Sequence, residues 1–300
     1  MAQVTRSQII NFMWPGLSLV LCDAKYYDSL YKKYFKLVPT KKAFDIVVEY
    51  APMGYAKAMN EGEAYELQTN FIINKTQYDH TSFSAAIEFT FESIDDNLYT
   101  DEFPNAGEQI KASLVLTRDV NATNVFNFAF SASNPIGDGQ PFASTQHPTS
   151  VGVYSNVLAP ATFGETALTD MITIAQTLPD AAGKVLNYQG DKLLCSPTLQ
   201  YDVGRVLFNA ERPGTANRDI GIIYHQGFIK GGYVVNPYLT NPNSFFLFTD
   251  CPNGLLFYEK NMAEVSSWMD EKNRTVGMGG FDRYSSGPSN ARSTICCQGF

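Results

Sequence analysis

Apolar and polar side chains alternate without a break over residues 83–91: Phe83, Ala85, Ile87, Phe89 and Phe91 share one side, and Ser84, Ala86, Glu88 and Thr90 the other. A period of two predicts a strand with one face on a core. Upstream, Ile46, Val48 and Tyr50 alternate before Pro52 and Gly54, and a second extended stretch at 65–77 follows "NEGE" (60–63), where Gly62 supplies a turn. These stretches predict a long hairpin with few large apolar residues beside its tip. An isolated two-stranded ribbon is marginal in water, so the hairpin is expected to lie against something else.

Helical spacing follows. Pro104 suits a first helical position, and Ala106, Ile110 and Leu114 recur every four residues, predicting a long helix over roughly 104–130. β-branched residues and Asn late in that run lower its propensity. Asp95-Asp96 favour the dipole of a helix start. Residues 133–148 are loop, dense in Gly, Pro, Asn and Asp. Thr162 and Glu165 form a capping box for a second helix that turns Leu168, Met171, Ile172, Ala175 and Leu178 inward. "KLLCSP" (192–197) reads as a strand, with Ser196 capping and Pro197 opening a third helix that buries Leu199, Val203 and Leu207. Beyond Ile220, "IGIIYHQGF", "GGYVVNP", "SFFLFTD" and "GLLFYEK" read as strands. The first fifty residues hold a turn at "WPGL" (14–17) and one short helix within 23–37, and read as an arm. The fold class is an interleaved α+β.

Composition changes this picture in one respect. Charged residues make up 17% of the 300 positions and aromatics 13%, including 17 Tyr and 21 Phe, where about 25% charged is usual. Low charge with abundant aromatics fits a protein whose faces are covered by partner subunits. The net charge of −8 argues against a sequence-reading nucleic-acid binder. Basic residues cluster at Lys32-Lys33, Lys36 and Lys41-Lys42, which reads as a solvated segment. Five cysteines without CxxC spacing read as free thiols, and Cys296 and Cys297, as neighbours on a strand, are expected to face opposite sides. The apolar run 8–22 is too short for a membrane span and lacks a cleavage pattern.

Catalytic signals are sparse. "DGQPFASTQHP" (138–148) places Asp138, Ser144 and His147 close in sequence, but no G-x-S-x-G elbow accompanies them. His80, His147 and His225 are 67 and 78 residues apart, unlike a zinc site. "GMGGFDR" (277–283) lacks the spacing of a phosphate loop and reads as a glycine-rich strand or bend. The residues alone point to a protein without catalysis, metal or cofactor, in which His147 is a structural loop residue.

The same loop resembles one that recurs in major capsid proteins of tailed bacteriophages, especially the phage Mu-like major head subunits, where a D-G-x-P-x-x-S-x-x-H-P run follows the long helix. Other stretches resemble that family in its order: "WPGL", "AKAMNEGEAYE" (56–66), "ESIDDNLY" (92–99), "FGETALTDMITIAQTLPDAAGKVL" (163–186), "KLLCSPTLQYDVGRVL" (192–207) and "VVNPYLTNPNSFFLFTD" (234–250). The chain departs from its relatives near the end, where Ala291-Arg292 stands in place of an aromatic–Arg pair.

The resemblance implies the Hong Kong 97 capsid fold. An N-terminal arm is expected over 1–44 and an extended loop over 45–82. A peripheral domain is expected over 83–160 and 255–300, with the spine helix at about 104–130, and an axial domain over 161–254. It implies a subunit that assembles with itself into pentamers and hexamers of an icosahedral head around double-stranded DNA, held without sequence-specific binding. Trp14, Pro15, Tyr55, Met59, Glu61, Glu63 and Tyr65 are the expected intersubunit contacts. Separate scaffolding and portal proteins, and decoration proteins, are the expected partners, with no membrane, and the subunit is made in the host cytoplasm. The alternatives are an encapsulin-like compartment shell and, more remotely, a serine hydrolase using Ser144 and His147.

Overall fold

The computed structural model describes residues 29–50, 53, 55–65, 67, 72–92, 102–211 and 220–300. Trp14, Pro15, "WPGL", Cys22, Asp95-Asp96 and most of "ESIDDNLY" lie outside them. Two four-stranded sheets organise the rest. The first has the order β1 (Lys36–Pro39), β10 (Leu255–Asp270), β11 (Thr275–Pro288), β4 (Thr81–Thr90). In it β1 runs parallel to β10 and the other pairs are antiparallel. β4 shows the alternation its sequence predicts: Phe83, Ala85, Ile87 and Phe89 are half-buried and the residues between them exposed.

Helix α1 (Glu102–Asn127) crosses this sheet against β11 and β4. The glycine run of β11 explains how closely. A Cβ on Gly280 would come 2.7 Å from Leu114 Cδ1 and 2.9 Å from Ile110 Cγ2, so a larger residue would push those helix side chains aside. On the opposite face, the Trp268 indole lies over Gly277, its neighbour in register. The glycine-rich segment is thus a strand, shaped by what lies on both sides.

The second sheet has the order β12 (Thr294–Cys297), β9 (Phe245–Thr249), β7 (Gly190–Cys195), β8 (Tyr233–Val235), and both its faces are buried. Leu193, Cys195, Phe245, Leu247, Ile295 and Cys297 pack against Leu168 and Met171 of α2 (Glu165–Thr177) and Val203 of α3 (Gln200–Phe208). Leu194, Phe246, Phe248 and Cys296 face a second core with Phe126 of α1, Tyr31, Phe35 and Phe257. Cys296 and Cys297 therefore do face opposite sides, as free thiols in different cores. Phe126 lies 5.2 Å from Phe246 and 5.6 Å from Phe248 between ring centroids, which joins the helix to this sheet.

Several local expectations are corrected. Residues 222–226, read as strand from their β-branched run, form a short helix α4 (Ile222–Gln226) that ends at Gly227 in the left-handed region (φ 60°). Thr162 does not cap α2: Phe163 is buried edge-on to Phe245, and the helix starts after an extended Gly164. Ser196 stands at the N-cap position, with Pro197 opening the turn as expected, but its hydroxyl donates to the Pro242 carbonyl. Within the stretch expected as an arm, Tyr31 and Phe35 are buried and β1 forms the edge of the first sheet. β12 joins the second sheet by pairing with β9.

Candidate functional site

Asp138, Ser144 and His147 lie on one loop but do not form a triad. His147 lies completely buried on β5 (His147–Pro148), which pairs with β6 (Val153–Tyr154). Its Nδ1 lies 2.6 Å from Asp138 Oδ2 and its Nε2 3.1 Å from Asn156 Oδ1. Asn156 uses its amide nitrogen on the carbonyls of Phe142, Ala291 and Thr294, which leaves its oxygen to accept from His147 and from the Ser144 amide. Ser144 Oγ instead bonds Gln140 and accepts from the Gln146 amide. With both imidazole nitrogens engaged elsewhere, no base faces the hydroxyl. Asn156→Ala is expected to cost about 3 kcal/mol, because it leaves several buried groups unpaired, and Ser144→Ala less than about 1 kcal/mol. Urea unfolding of the unassembled subunit checks this; equal effects would contradict it.

The imidazole also stacks on Tyr154, 5.1 Å between centroids, and the Arg292 guanidinium sits 4.5 Å over the other ring. Arg292 donates to Glu49 Oε1 at 2.5 Å and to the Pro179 carbonyl at 2.6 Å. Asn290 and Asn74 hold the same carboxylate. Glu49 belongs to β2 (Phe44–Tyr50), whose partner is β3 (Ile72–Asp79). A continuous set of contacts thus runs from the His147 loop to the base of the hairpin. Arg292, noted from sequence only as a departure, is its centre.

Above that base the hairpin leaves the body of the subunit. Glu63 caps a turn at Asn60–Glu63 in which Gly62 has φ 83°. Tyr55 (77% exposed), Met59 (51%), Tyr65 (85%) and Leu67 (94%) stand in solvent around it, and Glu61 and Glu63 are exposed beside them. The expected contact residues 55–65 therefore lie together on one protruding loop. Lys184 ties it to the rest of the chain: its ammonium bonds the Met53 carbonyl and lies 4.7 Å from the Tyr55 ring centroid.

Two further charged sites carried no sequence signal. Arg118, in the middle of α1, makes a two-pronged ion pair with fully buried Asp282 at 2.5 and 2.8 Å and reaches Tyr31 Oη and Glu259. Burial opposes its charge, but the bonds to Asp282 outweigh this and hold the guanidinium above its ordinary pKa. Burial pushes the Tyr31 phenol up to about 12. His80, between β3 and β4, lies 2.9 Å from Ser285 Oγ through Nδ1, and its Nε2 faces Asp45 Oδ2 at 3.2 Å. Desolvation lowers its pKa below the usual 6.5 despite Asp45. The unfolded chain therefore takes up this proton first, and stability falls as pH drops from about 6.5 toward the lower folded value. His80→Asn is expected to flatten that slope below about pH 6.5, measured as urea midpoint against pH; an unchanged slope would assign the acid sensitivity elsewhere.

Among the described residues no three His, Cys, Asp or Glu side chains are grouped to hold a metal ion, and no helix is long and apolar enough to cross a membrane. A hairpin, a helix across one sheet and a second sheet buried on both faces are the elements of the Hong Kong 97 fold. Solved structures bear this out. The capsid of the cyanophage P-SCSP1u superposes with a TM-score of 0.61 at 11% identity, over 93% of this chain and 90% of that one. The capsid of a native GTA particle gives 0.60 at 12% identity, over 91% of each. A virus-like particle from Pyrococcus furiosus gives 0.54 at 10% identity, over 97% and 99%. No curated protein matches in sequence. The profile of a family described as "Phage capsid protein" matches residues 74–293, well over half of the chain, and the chain belongs to that family. It is a major capsid protein of a phage head shell.

Proposed function

We propose that the subunit assembles with itself into pentamers and hexamers that close an icosahedral head around the double-stranded DNA of a tailed phage. The observation that carries this, beyond the family itself, is the hairpin. Its base is fixed by buried charge, yet its tip leaves Tyr55, Met59, Tyr65 and Leu67 largely exposed. Tyr55, Met59, Glu61, Glu63 and Tyr65, together with Trp14 and Pro15 of the arm, are the residues that meet a neighbouring subunit. On this reading the first sheet with α1 is the peripheral domain, and residues 161–254 with β12 form the axial domain. The Asp138–His147–Asn156 network acts structurally and the subunit catalyses nothing. Scaffolding, portal and decoration proteins are separate partners, and synthesis takes place in the host cytoplasm.

The phage family match favours this over a cellular compartment, which the fold alone does not separate. Electron microscopy and sedimentation of the purified chain, alone and with its scaffold, test it. Rings of five and six or closed shells are expected, and a stable monomer under both conditions would overturn the reading.

A further inference from the structure

The turn that carries Lys184 is tied down on several sides. Asp180, which is buried, accepts the amides of Ala182 at 2.7 Å and Lys184 at 2.8 Å through one carboxylate oxygen, and its own amide donates to the Lys184 carbonyl at 2.6 Å. Gly183 completes the turn at φ 83°, and a Cβ there would come 2.9 Å from Val151 Cγ2, so the turn sits close against the loop that joins β5 to β6. The Ser150 amide fastens it to that loop by donating to the Ala181 carbonyl at 2.9 Å. Next to the turn, the Pro179 carbonyl accepts from Arg292 at 2.6 Å, and the same guanidinium donates to Glu49. One hydrogen-bonded unit therefore grips the hairpin twice: at Glu49 through Arg292, and at Met53 and Tyr55 through Lys184, four and six positions further along. A single grip fixes where a hairpin starts. Two fix where it points.

We propose that Lys184 is the positioning residue of the hairpin: from this turn it aims the exposed tip in the direction that a neighbouring subunit accepts. This rests on the capsid reading above. An ammonium has three donors, enough to serve the Met53 carbonyl while it lies over the Tyr55 ring. Without Lys184 the hairpin keeps its base at Arg292 but samples more directions, so a smaller fraction of subunits is ready to join a shell. Apparent affinity for a neighbour falls by that same fraction. Contacts that are weak singly suffice, because a closed shell repeats the loss at every subunit.

The test has two readouts. Time-resolved fluorescence anisotropy follows a dye carried on an unnatural residue in place of Glu61, in the full chain at a concentration too low for shells. Light scattering follows shell formation by the unlabelled chain. Lys184→Met keeps the length of the side chain and the backbone bonds of the turn, but removes the charge and the donors. It is expected to raise the amplitude of nanosecond depolarisation about twofold and to slow shell closure about tenfold, with the urea midpoint unchanged. Lys184→Arg, which also donates to carbonyls and stacks on aromatic rings, is expected to restore both readouts. Wild-type depolarisation from Lys184→Met overturns the proposal. Raised mobility with shells closing at the wild-type rate overturns it too, by handing the aiming to the neighbour. A urea midpoint that falls with Lys184→Met and is not rescued by Lys184→Arg assigns the residue to the stability of the fold, which is a third way to lose the proposal. Absence of shells from wild type sinks the capsid reading itself, while the anisotropy comparison still decides whether Lys184 holds the hairpin.

Discussion

Deletion of residues 54–70 is expected to abolish closed shells while leaving a folded subunit whose stability changes by about 1 kcal/mol or less. None of the described side chains in that stretch belongs to either core. The hairpin survives the cut in principle, because Tyr50 pairs with Ile72 and residues 51–53 and 71 remain to connect them. Four residues close an antiparallel pair without strain. The ties at the base, Arg292 to Glu49 and Tyr78 over Gly287, are untouched. Within the subunit the deletion removes the contact of Lys184 with the Tyr55 ring, worth about 0.5–1 kcal/mol at an exposed site. What disappears between subunits is the whole exposed tip. Electron microscopy of the deletion protein, beside its urea midpoint, separates the two effects. Normal shells from it would contradict the assignment of the hairpin as the assembly element.

Asp282→Ala is expected to cost about 3–5 kcal/mol, the largest effect of any single substitution proposed, because it leaves the Arg118 guanidinium buried with its principal partner removed. Glu259, which also meets Arg118 Nη1 at 3.4 Å, compensates in part and places the value toward the lower end. The double variant Arg118→Met/Asp282→Leu is expected to recover most of the loss, since apolar side chains of similar volume often replace a buried pair at little cost. A double-mutant cycle on urea midpoints measures the coupling. A single-variant loss below about 1 kcal/mol would show that α1 is held by its apolar contacts alone.

The difference between these two sites also explains how much the sequence could reveal. β4 was legible because one of its faces is half-buried and the other wet, which writes a period of two into the chain. α1 was legible from Ile110 and Leu114, but the same four-residue series runs on through Arg118, Ala122 and Phe126, all buried. The pattern is hidden at Arg118 because a charged residue on an apolar stripe reads as its end, and Asp282, which makes it tolerable, lies 164 positions away. Arg292 and Glu49 are separated by 243 positions and give no local signal either. Of the His147 network, Asp138 was visible as a near neighbour, whereas Asn156, which fixes the ring, looks like any other loop amide. The strand expected at 220–228 failed because Ile220, Ile222 and Tyr224 are exposed and only Ile223 is buried, so their β-branched and aromatic character reports no sheet. The exposed tip at 55–65 was readable for the opposite reason: its composition is too poor in apolar residues for its length to be self-supporting.

The order of strands in the two sheets has a consequence for how the subunit is made. β1 pairs with β10, Lys36 opposite Leu256, and β4 waits for β11. In the second sheet β7 and β9 wait for β12, which supplies Ile295 and Cys297 to one core and Cys296 to the other. Neither layer can be completed during translation until the ribosome has passed the last of these strands, and contacts of such long sequence separation form slowly. A nascent chain therefore completes both sheets late. On the ribosome the hairpin can form early, but Arg292, which holds its base at Glu49, is added only near the end of the described strands.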